Sequence, residues 1–253
     1  MDSLTQFTLG AAVGQVVLGK SLGRKAVLIG GLAGTIPDLD GLFLQGMDMV
    51  SQLVYHRGFS HSLVFCCIAP FILAYLSQRF LKWDLSFRRW AVFWFFAFLT
   101  HTLLDCFTSW GTQLFWPHPY RVAFHSIFII DPFYTIPLLL GVVLTFWKRV
   151  DRFVWWGIVL STFYLGLGLG IKQVVNQQFE KGLVAQGYQV SDYISKPTPF
   201  NIFLWAIAAD QGDRYCYGYY SLFDKHIPSD FNLSALKRHD LLDTYRDHER
   251  LQQ

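Results

Sequence analysis

Up to residue 171 the chain alternates between apolar runs and short charged turns, and this alternation limits the fold more than any other feature. The runs cover residues 4–19, 26–36, 63–80, 90–107, 133–147 and 153–171. Lys20, Arg24 and Lys25 close the first run, Arg79, Lys82, Arg88 and Arg89 separate the third from the fourth, and Lys148, Arg149 and Arg152 separate the last two. A membrane-spanning helix needs roughly 20 apolar residues, and basic residues gathered at the ends of such runs act as topology signals. Charged residues make up only 15% of the chain, against about 25% in an average soluble domain, and they concentrate after residue 172. The expected fold class is therefore an α-helical polytopic membrane bundle, residues 1–172, followed by a small C-terminal α+β soluble domain, residues 173–253.

The first run is short for a full span and rich in small residues. Gly10, Ala11, Gly14, Gly30, Gly31 and Gly34 permit close helix packing, so residues 4–36 form either a tilted helical hairpin or a re-entrant one. Pro37 ends the second run, and Pro70 is tolerated within the third. Beyond residue 172, residues 173–187 read as helix and 188–199 as turns. The aromatic stretches 200–210 and 214–224, joined by Gln211-Gly212-Asp213, read as a β-hairpin. Residues 233–251 carry scattered charges and read as a polar helix.

If the three basic turns are cytoplasmic, alternation places residues 37–62, 105–132 and everything after 172 on the opposite face. A net charge of +3 gives no case for nucleic-acid binding. Cys66, Cys67, Cys106 and Cys216 have no C-x-x-C spacing and make neither a zinc ribbon nor a disulfide framework. The start, MDSLTQ, lacks the basic residues of a secretory signal and reads as mature sequence.

Three polar clusters land together on that opposite side. PDLD at 37–40 places Asp38 and Asp40 just after a helix-ending proline. HRGFSHS at 56–62 holds His56, Arg57 and His61, and HTLLD at 101–105 holds His101 and Asp105 one helical turn apart. Ionisable groups beside hydrocarbon are costly and mark functional sites. Imidazole and carboxylate together suit zinc, manganese or iron. Each cluster also has a plain reading: an aspartate capping a helix, hydrogen-bonded structural histidines, or a single His–Asp pair. Asp131 reads as a further ligand or as a helix cap, with His125 beside it, and His118 reads as an interface residue. Arg57 suits an anionic group, since a guanidinium forks onto phosphate or carboxylate. The loop 108–124, with Trp110, Trp116 and Tyr120, suits a membrane–water interface.

The start MDSLTQFTLGAAVG, then PDLD, HRGFSHS, HTLLD and TPFNIFLWAI, taken in this order, resemble the YdjM-type family along essentially the whole chain. These are bacterial inner-membrane proteins described as metal-dependent hydrolases, with a LexA-binding label attached. The resemblance implies a membrane-embedded hydrolase whose ligands, for one or two divalent ions, map onto Asp38, Asp40, His56, His61, His101 and Asp105; Arg57, by its own chemistry, is the expected catalytic residue that steadies developing negative charge. Metal-activated water would attack an ester or phosphoester bond, and the position of the site at the membrane edge points to an amphiphilic or lipid-linked substrate. The expected setting is a multi-pass protein of the inner membrane with its site and C-terminal domain on the non-cytoplasmic face. The alternative is a non-catalytic membrane protein with a structural ion and a C-terminal domain that binds a protein partner.

Overall fold

The computed structural model describes residues 1–48, 52, 55–190 and 192–234. Among these lie seven α-helices: α1 (Ser3–Leu22), α2 (Arg24–Thr35), the short α3 (Asp40–Phe43), α4 (Leu63–Leu81), α5 (Phe87–Cys106), α6 (Pro132–Lys148) and α7 (Arg152–Ala185). Two 3-10 turns, Pro37–Leu39 and Phe59–His61, precede α3 and α4. Helices α4 and α7 are long and apolar enough to cross a membrane. A third span exists if α2 and Pro37–Phe43, bent by 40°, are taken as one. On α4, Ile68, Phe71, Ile72, Tyr75 and Phe80 are exposed, as a lipid-facing surface requires.

Helices α1 and α2 form an antiparallel hairpin whose glycines face each other. A Cβ on Gly30 would stand 2.3 Å from the Gly10 carbonyl oxygen, and one on Gly14 would stand 2.2 Å from that of Ala26. The approach is open only to glycine. Helices α6 and α7 form a second hairpin, with Gly141 and Gly157 in contact. One core gathers Ala33, Cys66, Trp90, Phe93 and Phe98 between α2, α4 and α5. Another gathers Ala11, Leu104, Tyr134, Leu138 and Val154 between α1, α5, α6 and α7.

The three basic turns meet at one end of the bundle. Arg89 donates to Ser21 Oγ, Arg24 donates to the Phe146 carbonyl, and the Lys25 ammonium lies over the Trp83 ring. The described residues between α2 and α4, and those between α5 and α6, meet at the other end, where the Gln113 amide donates to the Arg57 carbonyl and the Asp2 amide donates to the Ile129 carbonyl.

Helix α7 runs for 34 residues, about 51 Å at the usual rise, so it outruns a hydrocarbon core of about 30 Å. Its last turns bury Val175, Phe179 and Leu183 against an antiparallel sheet of order β1-β2-β3-β4. The strands are β1 (Tyr193–Pro197), β2 (Leu204–Asp210), β3 (Tyr215–Ser221) and β4 (Asn232–Leu233). Alternate residues Trp205, Ile207 and Ala209 of β2, with Cys216 and Tyr220 of β3, face the helix, as the two-residue repeat of a strand dictates. The hairpin expected over 200–224 is present as β2 and β3. Residues 188–199, expected as turns, contain β1 instead. Pro197 fits there because β1 is an edge strand and the proline is its last residue. The polar helix expected over 233–251 lies almost wholly outside the described residues.

Candidate metal centre

The break after α2 builds the first part of the site. Pro37 sits at the head of a 3-10 turn, and the turn carries Asp38 under the end of α5. The second 3-10 turn ends at His61, and Ser62 then caps α4 by accepting from the Phe65 amide at 3.1 Å. His101 and Asp105 come from the last turns of α5, four apart on its buried face.

Asp38, His61, His101 and Asp105 bring one ligand atom each within 4.8 Å of one another. His61 Nε2 and His101 Nε2 face each other at 3.0 Å. Asp38 Oδ1 lies 3.4 Å from the former and 3.5 Å from the latter, and Asp105 Oδ2 lies 3.4 and 3.8 Å from them. His61, His101 and Asp105 are fully buried, while Asp38 remains about a quarter exposed.

The neighbours decide where the ring protons sit. His101 Nδ1 lies 2.6 Å from the Gly34 carbonyl oxygen, which can only accept, so Nδ1 carries the proton. Ser60 Oγ donates to Asp40 Oδ2 at 2.7 Å and so accepts from His61 Nδ1 at 2.9 Å. With both Nδ1 atoms protonated, a neutral His61 and His101 turn lone pairs towards each other and towards two carboxylates. Such an array needs a cation between its members. Fixing the tautomer through the remote ring nitrogen is how metal-ligating histidines are prepared. The alternative occupant is a proton. Burial lowers the proton affinity of His61, but hydrogen bonds with Asp105 and Asp38 outweigh it and raise its pKa above the ordinary value.

Three buried polar atoms around this point make no hydrogen bond: Gln6 Oε1, which has no partner, and Asp105 Oδ2 and Arg57 Nε, which face each other as an ion pair. Native proteins leave few such atoms without a water or ion. Asp105 Oδ1, by contrast, is engaged by the Met1 amino group and by Gln6 Nε2. The donor set of two imidazoles and two carboxylates, with one carboxylate oxygen that accepts no hydrogen bond, fits a borderline divalent ion.

Asp40 and His56 stand one step behind. His56 Nδ1 pairs with Asp40 Oδ1 at 3.0 Å, and Asp40 Oδ2 also accepts from the Arg57 amide at 3.0 Å. Asp40 Oδ2 is 3.7 Å from His61 Nδ1, on the ring edge away from His101. Arg57 is buried with a left-handed φ of 60°. Its Nε lies 3.2 Å from Asp105 Oδ2, and its Nη1 donates to Thr108 Oγ1 at 3.3 Å. The Gln113 amide donates to its carbonyl, so the aromatic loop is tied to the site. Trp116 of that loop packs on Phe59.

Asp131 lies elsewhere: it caps α6 through the Phe133 amide and accepts from the Tyr164 hydroxyl at 3.0 and 2.9 Å. His118 accepts from the Tyr120 amide in the exposed loop. Gln6 is the site residue that the sequence reading passed over. Its amide donates to Asp105 Oδ1 at 3.0 Å and to the His101 carbonyl at 3.3 Å. The available signal was a polar side chain inside the first apolar run.

Fold and site together define a multi-helix membrane protein with a carboxylate–imidazole cluster at one end of its bundle. The chain belongs to the YdjM inner membrane protein family, whose profile matches residues 1–175. Inner membrane protein YbcI of Escherichia coli strain K12 is 31% identical over 108 residues, which is 41% of this chain and 61% of that relative's length. No solved structure matches the chain. Family membership and the likeness to YbcI place the chain in the inner membrane.

Proposed function

We propose that the chain is a membrane-embedded metal-dependent hydrolase acting on an ester or phosphoester of an amphiphilic or lipid-linked substrate. The observation that carries this reading is the convergence of four lone-pair donors, three of them buried, with the tautomers of the two imidazoles set from behind. Asp38, His61, His101 and Asp105 are the proposed ligands for zinc, manganese or iron, one or two ions. When bound, the ion supplies Lewis acidity and lowers the pKa of water enough for attack at neutral pH. Gly34 and Ser60 hold the two rings in register, and Asp40 with His56 secures Ser60. Arg57, beside Asp105, steadies negative charge that develops near the ion. Asp38, the least buried of the four, lies where water and substrate enter, and the loop carrying Trp116 borders that entrance. Residues 1–172 form the membrane domain in this reading, and residues 173–253 form a separate soluble domain.

A second reading takes the ion as structural, with the C-terminal domain as the working part that binds a protein partner. Near-complete burial of His61, His101 and Asp105 favours it, because a closed shell leaves little room for substrate. Elemental analysis of the purified protein beside His61→Ala and Asp105→Ala, combined with hydrolysis of a panel of esters and phosphoesters, tests both. The hydrolase reading expects bound metal and turnover in the wild type and neither in the variants. Metal without turnover on the panel supports the structural ion; no metal in the wild type overturns both.

A further inference from the structure

The basic end of the bundle carries a cavity of about 480 Å³ between the tips of the two hairpins. The α1–α2 turn contributes Arg24 and Lys25 to its lining, and the α6–α7 turn contributes Arg149 and Asp151. The tips are tied together. Arg24 Nε donates to the Phe146 carbonyl at 2.9 Å, and its guanidinium lies 4.9 Å from the Phe146 ring centroid. Asp151 is the single carboxylate in the lining, and the Gln15 amide already engages it at 2.9 Å. The Arg149 side chain makes no hydrogen bond or ion pair among the described residues. Neither α2 nor α7 has a side-chain cap at its N-terminus, so the first backbone N–H groups of both add to the positive potential there.

Basic turns alone satisfy a topology rule and need no ligand. What differs here is that three cations from two separate hairpins line one cavity whose only acid is spoken for. Leu22 and Phe146 give the cavity an apolar part. Trp147, Trp155 and Trp156 are exposed close by, as in the aromatic belt at a membrane–water boundary. Basic pockets between membrane helices bind acidic lipid heads.

We propose that this cavity binds the phosphodiester head of an anionic glycerophospholipid. Arg24, Arg149 and Lys25 meet the phosphate, and the acyl chains leave along the bundle into the bilayer. The site is independent of the metal centre at the other end.

The test uses the full-length protein in nanodiscs of phosphatidylcholine, with and without phosphatidylglycerol, and counts retained lipids by native mass spectrometry. The wild type is expected to keep one phosphatidylglycerol in preference to phosphatidylcholine. The Arg24→Gln/Arg149→Gln variant is expected to lose about thirtyfold of that preference, given roughly fivefold per basic residue. Arg79→Gln/Arg88→Gln removes the same charge from the third basic turn and is expected to keep the preference. Equal losses in both double variants, or a loss in neither, overturn the proposal. If inorganic phosphate at millimolar level displaces the lipid, the site takes free phosphate, and the lipid assignment fails. Should the double variant fail to fold, Arg149→Gln alone, expected to lose about fivefold, decides the matter, because that side chain makes no hydrogen bond or ion pair among the described residues and Lys148 and Arg152 remain as topology signals.

Discussion

Gln6 commits its amide nitrogen to Asp105 and to the His101 carbonyl, leaving its oxygen as a buried acceptor with nothing to accept. An unmet buried acceptor costs about 1–3 kcal/mol, and an ion or its water removes that cost. Partners that orient metal ligands are worth about 10–100-fold in metal affinity, so Gln6→Leu is expected to weaken metal binding by that factor while the helices persist. Competition with a chelator of known affinity measures it, and an unchanged affinity would reduce Gln6 to packing. Ser60→Ala addresses the other ring. Without the hydroxyl, His61 Nδ1 loses its acceptor, and about tenfold weaker binding is expected in the same titration. At this scale the sequence displayed the ligand types, because histidine and aspartate next to hydrocarbon stand out. It did not show which of six candidates face one point. Asp40 and His56 turn towards each other because a 3-10 turn, not a regular helix, follows Pro37, and that choice is made by packing. An amide such as Gln6 carries no charge and attracts no notice in a sequence.

The α1–α2 hairpin positions the site, although it contributes none of the four clustered candidate ligands. Gly10 and Gly14 interlock with Gly30 and Gly34, and the carbonyl of Gly34 is the acceptor that orients His101. Pro37 and Asp38 follow within four residues. Gly30→Ala sets a methyl 2.3 Å from the Gly10 carbonyl, and since backbone lies on both sides the helices must part. Overpacking of this kind costs about 1–3 kcal/mol. Here the displacement passes directly to Gly34 and the turn beyond it. The expected outcome is a lower melting temperature in detergent together with loss of bound metal. Gly166→Ala on α7, where a new Cβ meets no atom within 4 Å, serves as the control and is expected to change neither. Loss of stability with metal content intact would show that the hairpin does not carry the site. The small-residue pattern was readable from the sequence, as was the tight packing it allows. The link from Gly34 to His101 was not, since it joins residues 67 apart through a backbone atom.

At the scale of the whole molecule, charge is sorted by end. The turns holding Lys20 to Lys25, Arg79 to Arg89 and Lys148 to Arg152 meet at one end, and the carboxylate–imidazole cluster lies at the other with the first residues of α1. The sorting was legible in the sequence because each apolar run reverses the chain once, so parity alone brings the clusters together. Helix α7 leaves the bundle at the cluster end and carries the sheet with it, since its last turns form the floor on which β2 and β3 pack. Sheet and cluster are therefore expected on one side of the membrane. Basic residues in short loops near span ends remain cytoplasmic, so the basic end is expected in the cytoplasm and the sheet outside it. A pair of C-terminal fusions to the full chain measures this. Alkaline phosphatase is expected to be active and green fluorescent protein dark, with Lys148, Arg149 and Arg152 as the nearest topology signals to the junction. Replacing those three with glutamine should weaken the orientation and raise fluorescence, because α7 is then held by its apolar length alone. The opposite reporter result in the wild-type chain would put cluster and sheet together in the cytoplasm. It would open the C-terminal domain to a LexA-type partner, and the proposed hydrolysis would then draw its substrate from the inner leaflet.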